Sequence, residues 1–461
     1  MSLKQLALIF VLLILDECEC RFQQYHKKFK RIPLDGDPGE PLILTPLLRQ
    51  NRVQEAREDS RVVNERFFNV TSFSGYFTVD ETYDSNLFFW FFPSENNYTS
   101  DPVVLWLQGG PGASSLLALF TENGPFIVST DYSLTQRSYY WSQYYSVLFI
   151  DSPAGTGFSF TNGGYAQNQT KVGVDLYNAL LQFFQLFPEL KGNDFYVSGE
   201  SYAGKYIPAI AYTILRNNPD AEQEINLKGL LIGNGLSDPQ HQFEYGDYLY
   251  QIGLIDSNTR DTMKAVEDSI IQYIREGNYQ KAVDAFSALI LGDEKGKETT
   301  IFENATGFES HYNYLKPKEE YDYWADLVQR SDLRLAIHVG NTTFGDDRVR
   351  ENLVLDITKS VAPWISELLD HYRVLTYNGQ LDIIVAYPLT ENYLKYLNFS
   401  GAEEYSKAAR VIWKVDGEIA GYYKKGGKLT EAIVRNAGHM VPGDQPKWAL
   451  DLVKRFISDT L

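Results

Sequence analysis

Ser201 is the first residue with a candidate chemical role, because it lies at the centre of the stretch SGESYAGKYIP. An apolar run of strand length precedes the serine and a helix-like run follows it. The stretch approximates the pattern G-x-S-x-G, in which a sharp strand-to-helix turn exposes a nucleophilic serine. Ala203 stands in place of the second glycine, and alanine is nearly as small. A serine that only caps the following helix is the alternative interpretation.

A nucleophilic serine needs a histidine as base and an acid that orients the histidine. In proteins with this kind of turn, the acid and then the histidine follow the serine along the chain. His439 best suits the base because it lies in the loop NAGHMVPGDQP, whereas His338 lies in an apolar run. A surface histidine without a role is the alternative. Asp382, after the strand-like VLTYNG, is the candidate acid that accepts the imidazole Nδ1–H. Asp356 and Asp370 compete with it, but their helix-like contexts predict solvated faces.

A glycine-rich stretch, LQGGPGASS, follows the apolar run VVLWL and offers backbone N–H groups for an oxyanion. The amide of Tyr202, next to the candidate nucleophile, is the matching second donor. Loss of one such donor typically lowers a rate by about 10²–10³. A glycine turn without a chemical role is the alternative for this stretch.

Strand-like and helix-like runs alternate around these residues. Helix-like runs such as VGVDLYNALLQFFQLFPEL separate apolar runs of strand length that end in small or turn-forming residues. This alternation predicts an α/β fold with a central, mostly parallel sheet flanked by helices. The strand-like runs are FSGYFTVD, NLFFWFFPS, PVVLWLQGG, SVLFIDSPAGTGFS, DFYVSGES and KGLLIGNGLSDP.

Residues 241–349 interrupt the alternation, since they look helical and lack strong strand runs. We predict that they form a helical lid inserted into an α/β core of residues 65–240 and 350–461. Residues 21–64 are polar and irregular, which is typical of an N-terminal arm or a propeptide. If the lid is cleaved, the charged stretch GDEKGKETTIFENATG is the expected place.

Residues 1–20 are typical of a secretory signal sequence, because Lys4 precedes an unbroken apolar run from Leu6 to Leu15. A buried N-terminal helix is the alternative, and the run is too short to span a bilayer. No later segment approaches the length of a membrane span. Both cysteines, Cys18 and Cys20, lie near the expected cleavage point, which excludes a Cys-ligated zinc site.

Composition narrows the class of partner. A formal net charge of −18 disfavours nucleic acid, because phosphate binding requires a basic surface. A peptide or small-molecule partner in an acidic or extracellular compartment is expected, with no cofactor and no metal. Sequons of the form Asn-x-Ser/Thr predict N-glycans on surface loops. They lie at Asn69, Asn97, Asn168, Asn304, Asn341 and Asn398.

Six motifs, in this order, resemble the serine carboxypeptidase family: WLQGGPGASS, DSPAGTGFSF, SGESYAGKYIP, IGNGLSDP, YNGQLDIIV and RNAGHMVPGDQP. The resemblance covers roughly residues 70–455 and is greatest to the vitellogenic carboxypeptidase-like branch. It implies an α/β-hydrolase fold and release of C-terminal residues from peptides by Ser201, Asp382 and His439. It also implies an oxyanion hole built from the amides of Gly110 and Tyr202.

The same resemblance assigns recognition of the substrate's free carboxylate to Gln108, Gly109 and Glu200. It further implies that Glu122 hydrogen-bonds Glu200. An ionised glutamate would repel a carboxylate, whereas a protonated one donates a hydrogen bond to it. Two carboxyls that share a proton raise one pKa, so we expect peptide hydrolysis to be favoured at acidic pH. A glutamate that merely packs under the turn is the alternative.

Two residues depart from the family pattern. Gln108 stands where most members have Asn, and Ala113 stands where most have Cys, so the usual disulfides cannot form. We expect these departures to bear on substrate preference and lid rigidity, and to leave the reaction class unchanged. An acyltransferase on the same fold, with an alcohol in place of water, is a second hypothesis. A non-catalytic scaffold protein is a third, and the intact Ser, Asp and His argue against it.

Overall fold

The computed structural model describes residues 34–292, 299–320 and 322–461. The predicted signal sequence and the beginning of the predicted arm lie outside the described residues. Residues 293–298, within the stretch where cleavage is expected, also lie outside them.

The main sheet has the strand order β1-β2-β6-β3-β7-β8-β9-β12-β11-β10, and β4 pairs with β5 in a separate small ribbon. The strands are β1 (Phe73–Asp80), β2 (Ser85–Phe92), β3 (Val103–Leu107), β4 (Phe126–Val128), β5 (Leu134–Gln136), β6 (Ser146–Ile150), β7 (Phe195–Glu200), β8 (Leu227–Gly233), β9 (Arg373–Gly379), β10 (Val411–Val415), β11 (Glu418–Gly426) and β12 (Leu429–Val434).

The middle of the sheet, from β6 to β12, is parallel, and both edges are antiparallel. Every residue of β3, β6 and β7 is buried, as expected for parallel strands that helices cover on both faces. The predicted mostly parallel sheet is thereby confirmed. Since the parallel strands point the same way, the residues that follow them gather at one edge of the sheet.

Helices cover both faces of this sheet. The α-helices are α1 (Thr45–Arg49), α2 (Val53–Asp59), α3 (Leu116–Thr121), α4 (Gln169–Leu186), α5 (Ala203–Asn217), α6 (Pro239–Gln242), α7 (Tyr245–Gln251), α8 (Ser257–Arg275), α9 (Tyr279–Phe286), α10 (Ile301–Thr306), α11 (Tyr323–Leu327), α12 (Ser331–Ala336), α13 (Arg348–Leu353), α14 (Ala362–His371), α15 (Tyr387–Leu394), α16 (Ala402–Lys407), α17 (Val441–Asp444) and α18 (Pro446–Ile457). Short 3₁₀ turns lie at Glu65–Phe67, Trp141–Gln143, Pro188–Leu190, Asn218–Asp220 and Val354–Asp356, and a π-helical turn lies at Ser287–Leu291.

Helix α4 shows how the sequence specifies these elements. The Asn168 side chain caps its first turn by accepting the Lys171 amide hydrogen at 3.0 Å. Val172, Leu176 and Leu180 recur at four-residue spacing and are fully buried. This apolar stripe faces the core, which is the usual placement for a helix that covers a sheet.

The described part of residues 241–349 contains helices and no strand, in keeping with the helical character predicted for the lid. Residues 34–64 are less irregular than predicted. They form α1 and α2, bury Leu44 and Leu48 in the core, and bridge to β1 through Ile43 and Tyr76. This part of the predicted arm is therefore packed against the sheet.

Candidate active site

Ser201 lies on a two-residue turn, because β7 ends at Glu200 and α5 begins at Ala203. Its φ of +62° is in the left-handed region that residues other than glycine rarely adopt. The Ser201 amide donates to the Gly233 carbonyl at 3.0 Å, and the Ser201 carbonyl accepts from the Leu236 amide at 3.0 Å. These two hydrogen bonds tie the turn to the end of β8 and to the loop that follows it.

The space around this turn explains the small residues of SGESYAG. A Cβ on Gly199 would lie 2.1 Å from the Leu107 carbonyl oxygen and 3.1 Å from the Ala203 Cβ. Glycine is therefore required at 199, while alanine fits at 203. A Cβ on Gly109 would lie 2.5 Å from the Tyr202 nitrogen, so the glycine-rich loop after β3 contacts the turn directly.

Asp382 and His439 meet at the same edge, after strands β9 and β12. The His439 Nδ1 is 2.9 Å from the Asp382 Oδ2, and both side chains are buried. The other carboxylate oxygen, Oδ1, accepts the Ile384 amide hydrogen at 3.1 Å. A buried carboxylate with these donors holds a proton on Nδ1 and leaves Nε2 as the basic atom. Burial opposes a positive charge on His439, but Asp382, with smaller contributions from Glu200 and Glu319, outweighs it and raises the pKa of the imidazole.

Ser201 and His439 line one cleft but are not hydrogen-bonded to each other. The His439 Nε2 is buried and has no hydrogen-bond partner among the described residues. A serine hydroxyl rotates about a single bond, and contacts between a nucleophile and its base commonly tighten when substrate binds. The predicted acid and base are thus in contact, and the predicted nucleophile lines the same cleft as the base.

Glu200 and Glu122 form a buried pair behind the nucleophile. Their carboxyl groups are within hydrogen-bonding reach of each other. Among the described residues, neither oxygen of Glu122 has another donor, and nor does the Glu200 Oε2. The Gln108 Nε2 donates to the Glu200 Oε1 at 2.7 Å. Two carboxylates this close in a buried site repel each other, so ionisation of both at once is disfavoured.

The surroundings of the pair favour its protonated form. Burial and then the neighbouring Glu122 raise the pKa of Glu200 well above its ordinary value. Burial also raises the pKa of Glu122 to about 8, although the hydrogen bond to Glu200 and the Arg137 charge act in the opposite direction. The two carboxyls were placed together by family resemblance, and the structure brings them into contact.

Three functional residues were missed or misjudged from the sequence. Asn234 donates from Nδ2 to the Asp382 Oδ2 at 2.6 Å, so it shares that oxygen with His439. Its position between two glycines at the end of a strand, in IGNGLSDP, was the available signal. The Trp106 indole N–H donates to the Gln108 Oε1 at 3.0 Å, which turns the Gln108 amide nitrogen toward Glu200. 

Asp356, predicted on a solvated face, is buried instead. Its carboxylate accepts a hydrogen bond from the Tyr202 hydroxyl at 2.6 Å, and no local sequence pattern indicates this partner. Its competitor Asp370 is exposed, as predicted. His338 contacts Ser74, away from the cleft.

Ser201 and His439 line a cleft of about 1880 Å³ at the carboxyl ends of the parallel strands. Gln108, Glu200 and Ser201 lie on the core side, and Tyr312 and Asn313 come from residues 241–349, the predicted lid. A cleft at this edge is the usual ligand site of an open α/β sheet, and its volume suits several residues of a peptide. Glu122 is not among the lining residues, which places it behind Glu200.

A serine on a strand-to-helix turn, followed along the chain by an aspartate and a histidine at the same sheet edge, defines a hydrolase of the α/β class with a Ser–His–Asp site. The family model described as serine carboxypeptidase matches residues 63–459. The chain therefore belongs to the serine carboxypeptidase family, whose members are serine-type exopeptidases. The family, fold and reaction class predicted from the sequence are confirmed.

Comparisons with individual proteins agree with this family assignment. The chain is 50% identical over 444 residues to the venom serine carboxypeptidase of Apis mellifera, covering 94% of this chain and 95% of that protein. It is 47% identical over 430 residues to the vitellogenic carboxypeptidase of Aedes aegypti, covering 91% and 90%. In fold it is similar to Kex1(Δ)p, a prohormone-processing carboxypeptidase from Saccharomyces cerevisiae. That crystal structure matches with a TM-score of 0.71 at 24% identity, covering 87% of this chain and 96% of that chain.

Proposed function

We propose that the protein releases residues from the free carboxyl end of peptides and proteins, with Ser201 as nucleophile, His439 as base and Asp382 as orienting acid. The observation that carries this proposal is the buried Glu200–Glu122 pair. Glu200 directly precedes Ser201 in the chain. It puts a proton-bearing carboxyl beside the nucleophile, where it donates to a substrate carboxylate.

In the first half of the reaction, the Ser201 Oγ transfers its proton to the His439 Nε2 and attacks the last peptide carbonyl. The amides of Gly110 and Tyr202 donate to the oxyanion that develops. His439 then protonates the leaving amine as the acyl-enzyme forms. Water then attacks the acyl carbonyl while His439 takes a proton from it, and His439 returns that proton to the Ser201 Oγ as the ester bond breaks.

Recognition of the terminal carboxylate falls to Gln108, Gly109 and Glu200. Trp106 orients the Gln108 amide so that its nitrogen faces Glu200, and this nitrogen carries a second hydrogen for the substrate. The Gly109 amide adds a backbone donor on the loop that contacts the turn. Glu122 acts from behind by keeping Glu200 protonated.

The protonation states of Glu200 and His439 are coupled, and this coupling determines the pH range in which the enzyme is active. An ionised Glu200 raises the pKa of His439, and this effect disappears when Glu200 holds its proton. A protonated Glu200 therefore lets the His439 imidazole stay neutral, and act as a base, at lower pH. Acidic conditions are favoured because they keep Glu200 protonated, so that it can bind the substrate carboxylate, while His439 can still act as a base.

We place the protein on the secretory route, either secreted or lysosomal. The apolar run after Lys4 supports this location. The sequon asparagines also support it, because each of them is exposed: Asn69, Asn97, Asn168, Asn304, Asn341 and Asn398. In the described ranges, no helix is long and apolar enough to cross a membrane.

The described part of the chain holds no cluster of three or more His, Cys, Asp or Glu suited to a metal.

A blocked dipeptide with a free C-terminal acid is expected to have a kcat/KM roughly 10- to 100-fold above that of its C-terminal amide at acidic pH. The reason is that hydrogen bonds to a charged carboxylate are lost with the amide. Initial rates with the two substrates measure the ratio, and Ser201→Ala gives the background. Equal rates for the acid and the amide would contradict carboxylate recognition at this site.

A further inference from the structure

We propose that Asp356 is a positioning residue that fixes the turn bearing the Tyr202 amide, and with it the oxyanion hole. The proposal rests on the proposed function, because it assigns a role to the neighbour of the nucleophile Ser201. Asp356 does not reach the cleft, so it acts only through Tyr202.

The contact that carries the proposal is between two buried side chains. The Tyr202 hydroxyl donates to the Asp356 Oδ2 at 2.6 Å, with Tyr202 2% and Asp356 3% exposed. The Gln169 Nε2, from the first residue of α4, donates to the same oxygen at 2.7 Å. Because a buried acceptor is held from two sides, the Tyr202 ring has one favourable position.

The backbone at this point needs such support. Ser201 has a positive φ, and a strained residue of this kind persists only where its surroundings fix it. Tyr202 follows at once with φ −60° and ψ −18°, directly before the first helical residue of α5. An anchored ring therefore fixes the direction of the adjacent N–H. Little displacement is tolerated, since the Tyr202 nitrogen lies so close to Gly109.

Lys205, on α5, provides a second contact with the segment around Asp356. Its side chain is fully buried and its Nζ lies 3.7 Å from the Asp356 Oδ2. The Nζ also donates to the Asp356 carbonyl, and to the Lys359 carbonyl at 2.5 Å. The buried carboxylate thus has a buried cation nearby, as a charge in the interior requires.

The loop of Gly110, which supplies the other proposed oxyanion donor, also contacts the chain near Asp356. A Cβ on Gly112 would lie 3.2 Å from the Val349 Cγ1, so α13 packs against the loop that carries Gly110. Helix α13 ends three residues before Asp356. Residues 348–359 therefore contact both segments that supply the proposed oxyanion donors, and Asp356 provides the polar contact.

Tyr202→Phe tests the proposal, because it removes the hydroxyl and keeps the ring. We expect kcat to fall about tenfold with KM within about twofold, as an effect confined to the transition state requires. Tyr405→Phe is the matched control. The Tyr405 hydroxyl also donates to a buried carboxylate, that of Glu431, and neither residue lines the cleft. The control is expected to retain wild-type kcat.

A second readout separates positioning from general destabilisation. The aldehyde of a blocked dipeptide forms a tetrahedral adduct with the serine and places an oxyanion in the hole, whereas the matching alcohol does not. The ratio of their inhibition constants should change about tenfold in Tyr202→Phe and stay at the wild-type value in Tyr405→Phe. A lower melting temperature with an unchanged ratio would overturn the proposal.

Asp356→Asn provides an independent variant if Tyr202→Phe fails to fold, and the same change in ratio is expected. The outcomes also separate the two proposals. An active wild type with an unaffected Tyr202→Phe overturns the role of Asp356 alone. A wild type as inactive as Ser201→Ala overturns the proposed function, and the positioning role with it.

Discussion

Replacing Ser201 with alanine is expected to lower kcat for release of C-terminal residues by about 10⁵–10⁶-fold. The variant lacks the only oxygen that forms the acyl-enzyme, while the cleft and the carboxylate site stay intact. Digestion of a peptide library at several pH values, read by mass spectrometry, measures the loss. Single C-terminal residues should appear with the wild type and disappear with the variant.

Ser198→Ala is the matched control for this experiment. Ser198 lies on the same strand, is buried, and donates to the Leu105 carbonyl at 2.7 Å without lining the cleft. It should keep the wild-type cleavage pattern. Residue release that persists in Ser201→Ala would contradict the nucleophile assignment. A folded wild type that an active-site fluorophosphonate fails to label would favour the non-catalytic scaffold.

Replacing Asp382 with alanine is expected to lower kcat by about 10⁴–10⁵-fold. The change removes the acceptor for the His439 Nδ1–H and the negative charge that stabilises the imidazolium. It also leaves the Asn234 amide without its 2.6 Å partner. Because Asp382 raises the pKa of His439, the acidic limb of the residual pH profile should move to lower pH.

Asp370→Ala is the control for Asp382→Ala, since Asp370 was one of the two competing acids in the sequence and is exposed in the structure. Steady-state rates of both variants over a pH series give kcat and the position of the acidic limb. Comparable losses in the two variants would contradict the assignment of Asp382. An acidic limb that stays in place in Asp382→Ala would contradict the contact with His439.

The sequence was sufficient for the parallel middle of the sheet and for the order of the site residues along the chain. Buried parallel strands read as unbroken apolar runs, as in VVLWL, so they are visible without knowledge of their neighbours. The edge strands β10 and β11 were not predicted. Several of their residues are exposed, as in β10, where Val411 and Ile412 face out. The packing of residues 34–64 was missed for a related reason, because it depends on contacts with distant strands.

The supporting contacts of the site could not be predicted from local pattern. The hydrogen bond of Asn234 to Asp382 joins residues 148 positions apart, and that of Tyr202 to Asp356 joins residues 154 apart. Periodicity describes a residue's own element and carries no information on such partners. Asp356 was misjudged for this reason, since a helical context does not reveal a buried carboxylate that is bound by hydrogen bonds.

The central claim is that Glu200 must hold a proton to read the substrate carboxylate. As pH rises through the raised pKa of the Glu200–Glu122 pair, where burial brings that of Glu122 to about 8, the proton is lost and the pair repels the substrate. Glutamine cannot ionise and still donates a hydrogen bond at every pH.

The most direct test is the pH profile of kcat/KM for a free-acid dipeptide, measured with the wild type and with Glu200→Gln. The wild type is expected to fall on the alkaline side, and the fall should flatten in the variant while the acidic limb remains. An identical alkaline fall in both proteins would contradict the account.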